Sequence, residues 1–203
     1  MPRRARLFLP GYPLHIVQRS HNRQPCFLER SDLHHYLHWL GEYAQSYRAS
    51  IHAYVLMTNH VHLLASADDV LLLSGFMKSI GQNYAQYLNR RCNRSGSVWE
   101  GRYWSSPVTS DRYFLTCQRY IELNPVRAGI VDSPSRYRWS SHGGNAGLVL
   151  DELLTPHVTY LALNKNDACR YRDYRHLFRE AIGAGDLELI RSALRKNRPL
   201  CAA

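Results

Sequence analysis

Residues 50–66 carry the pattern that most restricts the fold. Residues 50–58 read as an alternating strand, with Ile51, Ala53, Val55 and Met57 on one face. Thr58-Asn59 suits a tight turn, and residues 60–66 read as the next strand, so the segment is a predicted hairpin. Its second strand opens Asn59-His60-Val61-His62-Leu63. Side chains in a strand alternate faces, so His60 and His62 point the same way, roughly 6.5 Å apart along the backbone. Two imidazoles so placed can hold one metal ion while Val61 points into the core, and an ion open on one side polarises a phosphate or a carbonyl. The same spacing also fits two half-exposed histidines on an amphipathic strand.

The surrounding pattern sets the fold class. Residues 12–19 read as a first strand and 20–25 as a polar loop. Ser31 is a candidate N-cap for a helix from Asp32 to about Arg48, with Leu33, Tyr36, Leu37 and Leu40 on its apolar stripe. Leu73, Phe76, Ile80, Tyr84 and Leu88 predict a helix from Val70 to Arg91. A short strand follows through Val108, then a helix capped by Ser110 that Pro125 stops. The order β-α-β-β-α-β-α predicts an α+β protein with a ferredoxin-like, RRM-like split β-α-β antiparallel sheet. Two helices would cover one face and leave the other for a ligand or a further helix. Residues 133–147, rich in Ser, Gly and Arg, read as a domain edge between a first domain, 1–147, and a helical extension, 148–203, with helices at 167–182 and 186–196.

The formal net charge of +10 points to a polyanionic partner, nucleic acid first. Lysine occurs only at Lys78, Lys165 and Lys196, so 23 of the 26 cations are arginine. Arginine forks onto phosphate and stacks on bases, although a GC-rich genome also inflates it. The five cysteines are scattered with no Cys-x-x-Cys, which fits a reducing, cytoplasmic setting. No apolar run approaches the ~20 residues of a membrane span. The basic start Met1-Pro2-Arg3-Arg4 precedes an apolar segment too short for a secretory signal and broken by Pro10 and Pro13.

The helix after Ser110 contains Tyr120-Ile121-Glu122-Leu123-Asn124-Pro125. Residues i and i+4 share a helix face, so Tyr120 and Asn124 lie one turn apart. A phenol can attack phosphorus as a nucleophile, and an amide oxygen one turn on can complete a two-histidine metal site. Of the 14 tyrosines, only Tyr120 and Tyr160 have an amide at i+4, and Tyr160 lies outside the predicted core. Half-buried packing explains a helical tyrosine equally well on spacing alone.

Together these residues resemble the single-tyrosine transposases that carry a histidine–hydrophobe–histidine motif. Thr58-Asn59-His60-Val61-His62-Leu63 resembles the metal motif, and Tyr120 through Gly129 resembles the catalytic-helix signature. Within that group the chain is most similar to the REP-associated tyrosine transposases. Further matching pieces are Arg19-Ser20-His21-Asn22-Arg23, Trp99-Glu100-Gly101-Arg102-Tyr103 and Trp139-Ser140-Ser141. His21 departs from the pattern, which has a small residue there, often glycine.

The resemblance implies a mechanism. His60, His62 and Asn124 would hold one divalent cation, Mg²⁺ or Mn²⁺. Ligand chemistry alone would equally suit zinc, cobalt or nickel. Tyr120 would attack a phosphate in single-stranded DNA, leaving a 5′-phosphotyrosine and a free 3′-hydroxyl. The expected target is a DNA hairpin with a short single-stranded flank, and the expected state is a monomer or a homodimer. Trp99, Tyr103 and Trp104 are candidate base-stacking platforms, with Arg102 between them. Arg23, Arg90, Arg91, Arg94, Arg119 and Arg127 are candidates for phosphate contact. His34 and His38 form a second helical pair without a third ligand, and His52 is a candidate second support for the metal site. Two other readings stay open: a metal-dependent hydrolase using the two histidines, and a non-catalytic nucleic-acid binder on an RRM-like sheet.

Overall fold

The computed structural model describes residues 7–200. The basic segment Met1–Arg6, weighed above as a leader, and Cys201 lie outside those residues. Four strands, β1 (Leu14–Arg19), β2 (Ser50–Met57), β3 (His60–Ser66) and β4 (Trp104–Pro107), form one antiparallel sheet in the order β2-β3-β1-β4. This is the split β-α-β arrangement that the element order predicts. One detail differs. The β2–β3 register shifts between Ile51 and Ala53. The extra residue turns Ile51 toward one core, while Ala53, Val55 and Met57 face the other.

Helices α1 (Arg30–Ser46) and α2 (Val70–Arg91) cover one face of the sheet. Tyr36, Phe76 and Tyr84 pack there against Ile16, Leu56 and Leu63, all fully buried. The cap of α1 is Glu29 rather than Ser31, paired with Asp32 in a reciprocal capping box. Asp32 also accepts the backbone N–H of Leu28 at 2.8 Å and of Glu29 at 3.0 Å. At the start of α2 the Asp69 carboxylate accepts the Leu71 N–H at 2.6 Å.

The second face takes the further helix, one of the two expected occupants. Helix α3 (Asp111–Glu122) lies on it, with Phe114, Cys117 and Ile121 buried among Ala53, Val55 and Leu64. Helix α3 ends at Glu122, ahead of Pro125 as predicted. Leu123 keeps right-handed helical angles (φ −83°, ψ 0°), and α4 (Asn124–Arg127) continues after it. Proline is tolerated there because its missing N–H falls in the first turn.

Glu122 fastens α3 in place. Its buried carboxyl group accepts from Ser141 Oγ at 2.7 Å, Asn145 Nδ2 at 2.8 Å and Tyr174 Oη at 2.9 Å, with His142 Nδ1 at 3.1 Å. These partners come from α5 (His142–Asn145), the residue before it, and α7 (Asp167–His176). The preceding segment runs along the outer edge of β2, where Leu56 N donates to Trp139 O and Ser141 N to Tyr54 O. The Ser- and Gly-rich stretch is therefore a packed strap.

Beyond it, α6 (Val158–Leu161), α7 and α8 (Ala184–Lys196) bury Tyr160, Tyr174 and Ile190 in the same core as α3. The predicted helix 167–182 ends at His176 with one 3-10 turn after it, and α8 starts two residues before the predicted 186.

Candidate active site

Pairing of β1 with β3 sets His62 opposite Val17 and His60 opposite Arg19. Strand alternation then puts His15, Val17 and Arg19 on the face that carries both motif histidines. Helix α3 crosses this face and brings Tyr120 to it. The His60 and His62 ring centres are 5.0 Å apart, and the Tyr120 ring lies 5.9 Å from His62 and 5.7 Å from His15. Because the chain stays helical through Leu123, Asn124 remains one turn beyond Tyr120. His60, His62, Tyr120 and Asn124 line one cavity of about 570 Å³ with Arg19 and Arg23; Trp104, Arg191 and Arg195 complete its rim. The Arg127 guanidinium sits 4.1 Å from the Tyr120 ring centre.

One hydrogen bond sorts the nitrogens of His60. His60 Nδ1 is 2.7 Å from Asn59 Oδ1, an acceptor, so Nδ1–H donates and Nε2 keeps its lone pair. His62 Nδ1 is 2.9 Å from His15 Nε2. Neither His60 Nε2 nor His62 Nε2 makes a hydrogen bond among the described residues. Burial, followed by the nearby Arg19 and Arg127, pulls the His60 pKa down to about 4. Burial, then His15 and His60, holds His62 well below its usual range, and burial takes His15 down to about 3. All three rings are neutral at pH 7, the state a metal requires of imidazole.

The Asn124 side chain makes no hydrogen bond among the described residues, and its Nδ2 is buried. Two neutral imidazoles with free Nε2 atoms and an uncommitted amide suit a divalent cation. Among the described residues no three His, Cys, Asp or Glu side chains gather into a metal-holding group, so a metal here would need the Asn124 amide beside the two imidazoles.

Not every predicted contact residue reaches this cavity. Arg23 does, in a left-handed conformation (φ 56°), with Asn59 Nδ2 donating to its carbonyl. Asn22 is left-handed too, whereas His21 is not, so its departure from the family pattern costs the loop no backbone strain. Arg102 and Tyr103 line an adjoining cavity. Trp99 is no stacking platform: it is 7% exposed, packs in the α1–α2 core and donates Nε1–H to Gly81 O at 2.8 Å. Arg91 is taken up by Asp32 at 2.8 Å and Glu29 at 2.9 Å. Arg119 donates to the Glu180 carbonyl and lies over Phe178. Arg90 and Arg94 stay at the exposed end of α2, outside the cavity. His52 bonds Thr155 O and Ser66 Oγ at the opposite end of the sheet, away from the motif. His34 and His38 contact Trp139 and Glu42 instead of a common centre.

Sequence reasoning missed His15, Arg19 and Arg191. Strand alternation places His15 and Arg19 on one face of β1, but only the strand pairing shows that this is the histidine face. Nothing in the local sequence brings Arg191 there.

A histidine pair on the central strand of a split β-α-β sheet, facing a tyrosine on a helix laid across it, defines a class of DNA strand-transfer protein. The family described as "Transposase IS200 like" matches residues 10–124, more than half of the chain. The chain belongs to that family of tyrosine transposases, enzymes that nick and rejoin DNA. Over 120 residues it is 23% identical to a Haemophilus influenzae protein named as a REP-associated tyrosine transposase, spanning 51% of this chain and 68% of that one. A solved REP-associated tyrosine transposase bound to a REP hairpin shares the fold at a TM-score of 0.58 and 18% identity, covering 78% of this chain and 93% of the other. No helix of the described residues is long and apolar enough to cross a membrane.

Proposed function

We propose that this transposase cuts and rejoins single-stranded DNA at hairpin-forming elements through a covalent 5′-phosphotyrosine on Tyr120. The observation that carries this reading is the approach of the Tyr120 ring to within 5.9 Å of His62, in a cavity shared with His60 and Asn124. His60 Nε2, His62 Nε2 and the Asn124 amide would hold one Mg²⁺ or Mn²⁺. When bound, that ion supplies Lewis-acid polarisation of the scissile phosphate.

The chain's own residues do the rest. The Tyr120 oxygen attacks phosphorus, the Oη–P bond forms, and the P–O3′ bond breaks. The phenol's proton leaves, and the departing 3′ oxygen takes one up as a hydroxyl. Arg127 and Arg19 stand beside the place where negative charge develops, and preorganised cations of this kind stabilise such transition states. The phosphotyrosine bond conserves the phosphodiester's energy, so reversal by a 3′-hydroxyl reseals DNA without a nucleotide cofactor. The fold match to a hairpin-bound relative supports a hairpin as the substrate.

The test is incubation with a pool of hairpin-forming single-stranded oligonucleotides and Mn²⁺. The expected result is a denaturation-resistant protein–DNA adduct that is absent from Tyr120→Phe. Cleavage that persists in Tyr120→Phe without an adduct would instead assign a hydrolase built on His60 and His62.

A further inference from the structure

The catalytic cavity does not end at Tyr120. A second cavity of about 610 Å³ adjoins it, and the two share Trp104, Leu194 and Arg195. Residues 100–105 form one side of the second cavity and residues 194–198 the other. We propose that α8 and the turn after it form one wall of a channel for single-stranded DNA, with Trp104 on the facing wall. This rests on the strand-transfer reading and adds the path the unpaired strand takes.

Helix α8 is fixed rather than draped. Ile190, Ala193 and Leu194 are buried, and the helix packs against β4 and α3. The chain after it is tied to β4: Ser106 Oγ donates to Arg198 O at 2.6 Å, and Leu200 N to Pro107 O at 2.7 Å. Cations line the side left open. Arg191 lines the catalytic cavity, Arg195 lines both, and Lys196 and Arg198 line the second. Arg195 pairs with Glu188, but Arg191, Lys196 and Arg198 have no ion-pair partner among the described residues. Glu100 is the one acidic side chain lining either cavity among those residues.

Gathering this many cations around one lining carboxylate is unfavourable unless a polyanion joins them. Trp104 supplies the second element. Its indole is 37% exposed at the junction of the two cavities, with the Arg19 guanidinium 5.5 Å from its ring centre. A half-exposed indole among cations suits an unpaired base, which stacks while its phosphates follow the arginines. In a duplex, stacking between successive base pairs covers the faces that would meet the indole, so the channel favours a single strand.

The test uses the full chain and measures binding by fluorescence anisotropy over a salt series. The probes are a hairpin with a single-stranded flank, the same hairpin without it, and a twelve-residue oligothymidylate. The triple variant R191Q/K196Q/R198Q should weaken binding of the flanked hairpin and of oligothymidylate. Its salt slope should fall by about 2, near 0.7 per lost phosphate contact. Binding of the flankless hairpin should not change. Trp104→Ala should weaken oligothymidylate binding about tenfold, and Trp104→Phe should recover much of it, because a ring of either kind stacks. Melting curves of the variants check that α8 remains docked. Wild-type affinity and slope in the triple variant would overturn the proposal, and an equal loss on the flankless hairpin would reassign α8 to the stem. Binding needs no chemistry, so failure of the strand-transfer reading would show separately, as a missing adduct in a protein that still binds the flank.

Discussion

His15 Nε2 lies 2.9 Å from His62 Nδ1, and both rings are buried beneath the catalytic cavity. One proton must sit between the two nitrogens. If His62 Nδ1 carries it, His62 Nε2 has a lone pair for a metal. If His15 Nε2 carries it, His62 Nε2 is protonated and cannot ligate. No partner on the far side fixes the choice, since His15 Nδ1 is buried without a hydrogen bond. His15 thus acts through His62, as residues that orient metal-bound histidines do.

The prediction for His15→Ala is a loss of Mn²⁺ affinity of about 10- to 100-fold. His15→Gln, whose amide oxygen can accept the His62 proton, should recover part of it. Electron paramagnetic resonance titration of free Mn²⁺ reads this without any DNA. Unchanged affinity in His15→Ala would mean that the pair only fills space.

A second prediction concerns Glu122, two residues past Tyr120. Its carboxyl group gathers Ser141, His142, Asn145 and Tyr174 in a region closed to water. Glu122→Ala strands those donors, and the cost should reach about 3 kcal/mol or more. Glu122→Gln keeps one acceptor and should lose less. Urea denaturation followed by circular dichroism gives both values, and an alanine variant as stable as the wild type would contradict this role for the network.

The pH dependence of stability should be steep on the acid side of neutrality. Burial, reinforced by His157 and opposed by the bond to Thr155, lowers the His52 pKa from 6.5 to about 4. Above pH 6.5 the ring is neutral in both folded and unfolded chains. Between 6.5 and about 4 the unfolded chain takes up the proton and the folded one does not, so stability falls as pH falls. At about 1.4 kcal/mol per pKa unit, His52 accounts for up to about 3 kcal/mol of that loss. His15 and His60 act in the same direction. Urea midpoints at pH 7.5 and 5 should differ by less in His52→Gln than in the wild type; equal differences would remove His52 from the account.

These residues also show what a sequence reveals. The α2 helix from Val70 to Arg91 and the β3 strand from His60 to Ser66 match the predicted spans, because caps, turn residues and periodicity are local. Tyr120 and Asn124 stay in phase for the same reason. Arg91 and Trp99 went astray because a cation or an indole reads alike whether it meets a phosphate, a base, a buried Asp32 or the Gly81 carbonyl. Ile51 faces away from Ala53, Val55 and Met57 because one inserted residue reverses alternation, and that leaves no mark in composition. The order of the Ser- and Gly-rich strap is not legible in its composition, because it comes from a carboxyl group at Glu122, on a different helix.

Arg127 is the last case, and it separates packing from chemistry. Its guanidinium lies 4.1 Å from the Tyr120 ring centre, and burial pulls its pKa down, with Arg191 adding to the effect and Tyr120 opposing it. Its Nη1 is buried with no hydrogen-bond partner among the described residues. A half-buried cation with a donor to spare, beside the tyrosine proposed to attack phosphate, is placed for charge that appears only in the transition state. Arg127→Ala should therefore slow adduct formation roughly a hundredfold. Binding of the flanked hairpin should change far less than the rate. Arg127→Lys keeps the charge but loses the planar fork, so its rate should fall between the two. Single-turnover adduct formation at saturating oligonucleotide measures the chemical step apart from binding. Equal losses in rate and affinity would show that Arg127 holds DNA in the ground state, and a wild-type rate in Arg127→Ala would reduce it to a lid on the Tyr120 ring.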